Sequence, residues 1–155
     1  MNTFFTSDEH YHHANIIKYC KRQFANANEM NEGMIQSHNE IVKKDDVVYH
    51  LGDFTFRNPW VATQIINNLN GKHYFIAGNH DKWFSHPEYE AATKPLADQG
   101  KYFGVRDYHE LKLNHGGGKV HLVLFHFPLL TWHKGHRGSI MLHGHTHGNI
   151  DIINV

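Results

Sequence analysis

Five short stretches of this chain combine carboxylates, an amide and imidazoles in spacings suited to divalent metal ions. In Asp8-Glu9-His10 a carboxylate and an imidazole stand two apart, so an extended backbone, alternating its side chains, would turn both toward one ion. Gly52-Asp53 sets a carboxylate directly behind an apolar run. Gly78-Asn79-His80-Asp81 joins a glycine allowing close approach to an amide oxygen, a titratable imidazole and a carboxylate able to orient that imidazole. His126 ends an apolar run just before Pro128, where a strand must stop. His145 and His147 lie two apart between Gly144 and Gly148, in a loop tight enough to present both rings.

Each stretch alone has a plainer explanation, such as a turn aspartate at 53 or a core histidine at 126. Together they offer two aspartates, one asparagine and four histidines as ligands, with His80 left over for acid–base work. Mixed oxygen and imidazole donors suit Mn²⁺, Fe²⁺, Zn²⁺ or Ni²⁺ better than Ca²⁺ or Mg²⁺, which prefer all-oxygen shells. No thiolate takes part, which excludes a structural zinc finger.

The elements around these stretches alternate. Residues 2–6, 46–51 and 72–77 read as strands, and 14–22, 29–43, 59–68 and 87–98 as helices, Pro59 suiting a first turn and Gly100 a helix end. From residue 101 the pattern turns β-rich, with strands at 102–105, 108–114, 119–126 and 139–143, a glycine hairpin at 116–118, and a last strand at 149–155. Candidate ligands fall where strands stop, the edge of an open α/β sheet on which loops converge. The pattern predicts one layered α/β domain over residues 1–155, with helices outside.

Lysine plus arginine equal aspartate plus glutamate at 15 each, so no bulk field exists to hold duplex DNA or an anionic membrane. The single cysteine, Cys20, cannot form an internal disulfide and suits a reducing compartment; it reads as a bland, partly buried residue. Without a leader-like N-terminus or an apolar window of membrane length, a soluble cytoplasmic protein is expected. Histidine, at 17 residues, is the compositional outlier, and it is the commonest metal ligand.

In order, the five blocks resemble the pattern of the calcineurin-like metallophosphoesterases: Asp-x-His, Gly-Asp, Gly-Asn-His-Asp/Glu, a lone His and Gly-His-x-His, here over residues 8–147. The surrounding FFTSDEH, YHLGDFTFR, IAGNHD and RGSIMLHGHTHG are most similar to short bacterial and phage-type members. The resemblance implies a β-sandwich of two mixed sheets flanked by helices, in α/β/β/α layers. It also implies that Asp8, His10 and His147 hold one metal ion, Asn79, His126 and His145 a second, and that Asp53 bridges them. The cofactors would be two divalent transition-metal ions, Mn²⁺ foremost, with Fe, Zn or Ni as alternatives. A shared hydroxide would attack phosphorus while His80, positioned by Asp81, assists the leaving group. The implied substrate is a small phosphate ester, a phosphodiester or nucleotide before a monoester.

Arg57 and Arg137 are the candidate phosphate-binding residues, with Arg22 third. His12, His13, His50, His133, His136 and His143 take structural or surface readings, a substrate-lining role being open for His133 and His136. Two other readings compete. One is a catalytically weak metal-binding interaction module on the same fold, against which His80 and Asp53 are both present. The other is a nucleic-acid binder, suggested by Trp60, Trp83 and Trp132 but disfavoured by the neutral balance. The chain ends eight residues after His147, where many members continue with a further strand: either this is a minimal member or the chain is shortened, and the edge of its second sheet stays open.

Overall fold

The computed structural model describes residues 1–149; the strand expected at 149–155 lies, from residue 150 on, outside the described residues. In chain order the elements are β1 (Thr3–Thr6), α1 (Ala14–Tyr19), α2 (Ala27–Ile41), β2 (Val47–His50), α3 (Pro59–Asn68), β3 (Lys72–Ile76), α4 (Tyr89–Asp98), β4 (Tyr102–Arg106), β5 (Tyr108–His115), β6 (Gly118–Phe125) and β7 (Ile140–Leu142). Local chemistry sets the helix starts. The Asn26 side chain accepts from Asn28 N and Glu29 N, which begins α2 two residues earlier than the apolar pattern implies. Asn58 accepts from Val61 N at 3.1 Å ahead of Pro59, whose fixed φ suits a first turn.

β1 to β4 form a parallel sheet in sequence order, and β5, β6 and β7 a smaller sheet in which β5–β6 is antiparallel and β6–β7 parallel. The first sheet is therefore not mixed, as the family resemblance implied. Each of its neighbours is reached through a helical crossover, which returns the chain in the same direction. One face of this sheet packs with α3 and α4 around Phe54, Ala62, Ile66, Phe75, Trp83 and Leu96. The other face meets the second sheet through Leu51, Ile76, Leu122 and Leu124, with Phe5, Leu111 and Leu142 at the margins. The expected outer helix layer is missing: among the described residues no α-helix follows β4, and the far side of the second sheet faces residues 126–139, whose regular structure is one 3-10 turn, Gly135–Arg137. The layers are α/β/β. Among the described residues no helix is long and apolar enough to cross a membrane.

A chain of buried polar groups lies within the parallel sheet. Glu9 Oε1 and His50 Nδ1 are 2.5 Å apart, and His50 Nε2 lies 3.0 Å from His73 Nδ1. Burial raises the Glu9 carboxyl to about 7 and holds both rings well below the ordinary histidine value, with the charges of His50, His38 and Lys101 adding to the effect at His73. His73 is therefore neutral in the folded state where the unfolded chain, with a pKa near 6.5, takes up a proton. Through this ring alone, folding stability falls as pH drops below about 6.5, while the Glu9 carboxyl, protonated in the folded state up to about 7, acts in the opposite sense. Replacing His73 by glutamine removes one such proton, and urea unfolding between pH 6 and 5 is expected to lose about 1 kcal/mol per pH unit of its acid slope. An unchanged slope would refute the assignment.

Candidate metal centre

The loops after β1 and β2 run side by side, extending the pairing of their strands: Asp8 N donates to Gly52 O (3.0 Å), His10 N to Asp53 O (2.9 Å) and Tyr11 N to Phe54 O (2.8 Å). They are not extended. Asp8, His10 and Asp53 have φ of +56°, +54° and +58°, and His145 and His147 have +71° and +50°. Asp8 and His10 thus converge through two left-handed residues, not through strand alternation as their spacing predicts. Such backbone costs on the order of 1 kcal/mol per non-glycine residue and collects at functional sites. Arg22 holds part of it in place, its Nη2 donating to Asp8 O at 2.6 Å and its Nη1 to Glu9 O at 2.7 Å. The third phosphate candidate is in fact committed to backbone.

All seven sequence-derived ligands meet at this strand-end face. His10 Nε2 and His147 Nε2 are 3.2 Å apart, with Asp8 Oδ1 at 4.0 and 3.6 Å from them. His126 Nε2 and His145 Nδ1 each lie 3.0 Å from Asn79 Oδ1. Between the two groups sits one oxygen, Asp53 Oδ2, 3.7 Å from His10 Nε2 and 3.5 Å from His126 Nε2. Asp8–His10–His147 and Asp8–Asp53–His126 each bring their ligand atoms within 4.8 Å of one another, so Asp8 as well as Asp53 links the halves. Imidazole nitrogens turned toward each other and toward carboxylates leave little but a proton or a cation to reconcile them, and the donor set fits a divalent transition metal.

Outer contacts orient several donors. His126 Nδ1 donates to Leu51 O at 2.8 Å, which leaves the Nε2 lone pair directed at Asn79 and Asp53. Asp8 accepts from His145 N on both oxygens, at 3.0 and 3.1 Å, and from Ser7 Oγ at 2.5 Å. Cys20 Sγ lies 3.2 Å from His147 Nδ1, a positioning contact that the bland reading of this cysteine missed and that no local signal announces. Burial drives the His10 ring down to about 4, more than Asp53 and Asp8 raise it. For Asp53 burial acts upward, but the His126 ring, the His80 N–H and the charges of His126 and His10 outweigh it and hold the carboxyl below its usual value. His126 shifts up in turn: burial acts downward, but the bonds to Asp53 and Leu51 O and the charges of Asp53 and Asp8 together outweigh it. A bound cation would take the place of that proton.

Asp81 does not reach the His80 ring. Its Oδ2 accepts from Asp53 N (2.7 Å) and Gly78 N (3.0 Å), and its Oδ1 from Phe54 N (2.8 Å), Thr55 N (3.3 Å) and Trp83 Nε1 (3.2 Å). Burial raises this carboxyl to about 6, the N–H groups of Gly78 and Thr55 pulling the other way. It clamps the loop after β3 to the loop after β2. His80 is placed instead through its backbone, N donating to Asp53 Oδ1 at 2.9 Å, and its ring lies 4.3 Å from Phe56 and 5.9 Å from His10, centroid to centroid.

Close approach requires glycine at three positions of the cluster: a Cβ on Gly52 would collide with the His126 ring and with Gly78 Cα. A Cβ on Gly78 would collide with the backbone N and Oδ1 of Asp53, and one on Gly144 with the side chains of Ser7 and Asp8. Arg57 and Arg137 are exposed, and among the described residues neither side chain is hydrogen-bonded or ion-paired to the cluster.

No family model matches the chain. Among curated proteins, it is 36% identical over 145 residues to an uncharacterized protein of Methanocaldococcus jannaschii, MJ1445, covering 92% of this chain and 68% of that one. It is 32% identical over 167 residues to the Gene 66 protein of Mycobacterium phage D29, covering 96% and 80%. Among solved structures, a protein of unknown function from Aquifex aeolicus, AQ665, superposes with a TM-score of 0.55 at 25% identity. That match covers 83% of this chain but 62% of the Aquifex chain, so this chain spans about three fifths of its length.

Proposed function

The chain belongs to the family that includes MJ1445 and the phage D29 Gene 66 protein, and from its strand-end cluster we propose that it is a phosphoesterase working with two divalent transition-metal ions. The observation that carries this is the position of Asp53 Oδ2, one carboxylate oxygen between His10 on one side and His126 on the other. Asp8, His10 and His147 would hold one ion, Asn79, His126 and His145 the second, with Asp53 common to both. When bound, such a pair supplies a water that ionises near neutral pH and positive charge against the phosphoryl oxygens. Mn²⁺ is the first candidate, with Fe, Zn or Ni as alternatives. The chain's resemblance to the calcineurin-like metallophosphoesterases, in the order of its five blocks, supports the same reading.

His80 donates a proton to the departing oxygen, its loop fixed by the Asp53 contact and its ring backed by the exposed side of Phe56. Asp81 holds the two loops that carry Asp53 and Asn79 at their separation. With Arg22 committed to backbone, and Arg57 and Arg137 outside the cluster's bonding, the metals supply most of the positive charge. That balance suits a singly charged phosphodiester more than a dianionic monoester.

The test is hydrolysis of bis-p-nitrophenyl phosphate against p-nitrophenyl phosphate, screened over Mn²⁺, Fe²⁺, Zn²⁺ and Ni²⁺. Diester cleavage with at least one metal is expected, and His80→Ala is expected to lower kcat about 10²-fold while bound metal per chain stays constant. If no metal supports either reaction, or the variant retains full turnover, the proposal fails.

A further inference from the structure

A second set of metal-ligating side chains lies outside the strand-end face. Glu110 on β5 pairs opposite Val123 on β6, and Lys112 opposite His121, so Glu110 and His121 project from the same side of the second sheet. This is the side away from Leu111, Leu122 and Leu124, which fill the layer between the sheets. His133 arrives from the segment 126–139. His121 Nε2 lies 2.7 Å from Glu110 Oε2, and His133 Nδ1 lies 2.8 Å from Oε2 and 3.0 Å from Oε1. The two rings stand perpendicular, 5.8 Å between centroids, and the three ligand atoms fall within 4.8 Å of one another. His121 and Glu110 are largely covered, while His133 is half exposed. Tyr108 donates its hydroxyl to Glu110 Oε1 at 2.6 Å, fixing the carboxylate from its other side.

We propose that Glu110, His121 and His133 form a mononuclear site for a divalent transition-metal ion, zinc foremost, that staples the segment 126–139 onto the second sheet. Two imidazoles and one carboxylate with a position left for water are a zinc-binding set, and bonds of about 2.1 Å in a tetrahedron put ligand atoms roughly 3.4 Å apart, a little wider than the present contacts. Both ring nitrogens already face the carboxylate, so the ion replaces shared protons with a small opening of the three side chains. The segment has its own scaffold: Ser139 Oγ donates to His133 O at 2.6 Å and Trp132 Nε1 to Ser139 O at 3.1 Å. It begins at His126 and leads through β7 to His145 and His147. Fastening its middle restricts both ends of the strand-end cluster, although the site stands independently of any activity there.

The experiment is equilibrium dialysis of the full chain against buffered Zn²⁺ with metal analysis, paired with amide hydrogen exchange. His133→Gln alters a half-exposed ring and should fold, as circular dichroism would verify; His121→Gln is the second variant. Bound zinc is expected to fall by one ion per chain in each variant, whether or not the strand-end face is loaded. Zinc is expected to slow exchange across 126–139 about 10-fold in the parent chain and not in the variants. Unchanged stoichiometry in both variants would overturn the site, and a lost ion without a change in exchange would overturn the staple.

Discussion

Asp53→Asn is expected to abolish metal-dependent cleavage of bis-p-nitrophenyl phosphate, lowering kcat/KM by about 10³-fold, with bound metal falling alongside it. The substitution is close to isosteric. The retained amide oxygen can still accept the His80 N–H that Asp53 Oδ1 takes at 2.9 Å. What changes is the atom between His10 and His126, where an NH₂ group replaces an anionic oxygen and offers hydrogens in place of lone pairs. Stability should move little, since no cavity opens and an amide can donate to either ring. Loss of activity with an unchanged melting temperature would therefore report on the centre and not on the fold. A variant that keeps its metal and its rate would remove Asp53 from the centre.

The second large effect lies one loop away and is structural. Asp81→Asn should lower the melting temperature of the metal-free chain by roughly 10 °C, corresponding to about 4 kcal/mol. Asp81 takes five N–H donors on two oxygens, and asparagine has one oxygen to offer. If that oxygen keeps Phe54, Thr55 and Trp83, the NH₂ points at the N–H groups of Asp53 and Gly78, leaving two buried donors facing donors. Each such orphan costs about 1–3 kcal/mol. A melt within about 2 °C of the parent would mean that the clamp is dispensable.

These two residues mark how far the sequence could be read. The start of α3 was legible because Pro59 acts locally, and the parallel crossovers were legible because strands and helices alternate. The seven candidate ligands could be picked out by type and order, since each follows a strand end. Their backbone could not. The left-handed turns at Asp8, His10 and Asp53 depend on hydrogen bonds between neighbouring loops and on Arg22, thirteen and fourteen residues from the carbonyls it holds. Asp81 stands beside His80 in sequence, which suggested a partnership; the fold turns its carboxylate the other way, into the adjacent loop. Glu110, His121 and His133 carry no shared motif, and sheet register with one crossing segment brings them together. The α/β/β layering was likewise hidden, because β-rich sequence does not say what will cover its far face.

The tight packing of Gly78 on Asp53 and of Gly144 on Ser7 and Asp8 bears on how this protein could be re-engineered. Each of these loops is the mould for another, so a loop borrowed from a relative would arrive without the surface it was cast against. Because 7–10 is also hydrogen-bonded to 52–54, the transplantable unit is the whole set: 7–11, 52–55, 78–81 and 143–148. A chimera that exchanges one member alone should misfit at the centre even when every ligand is retained.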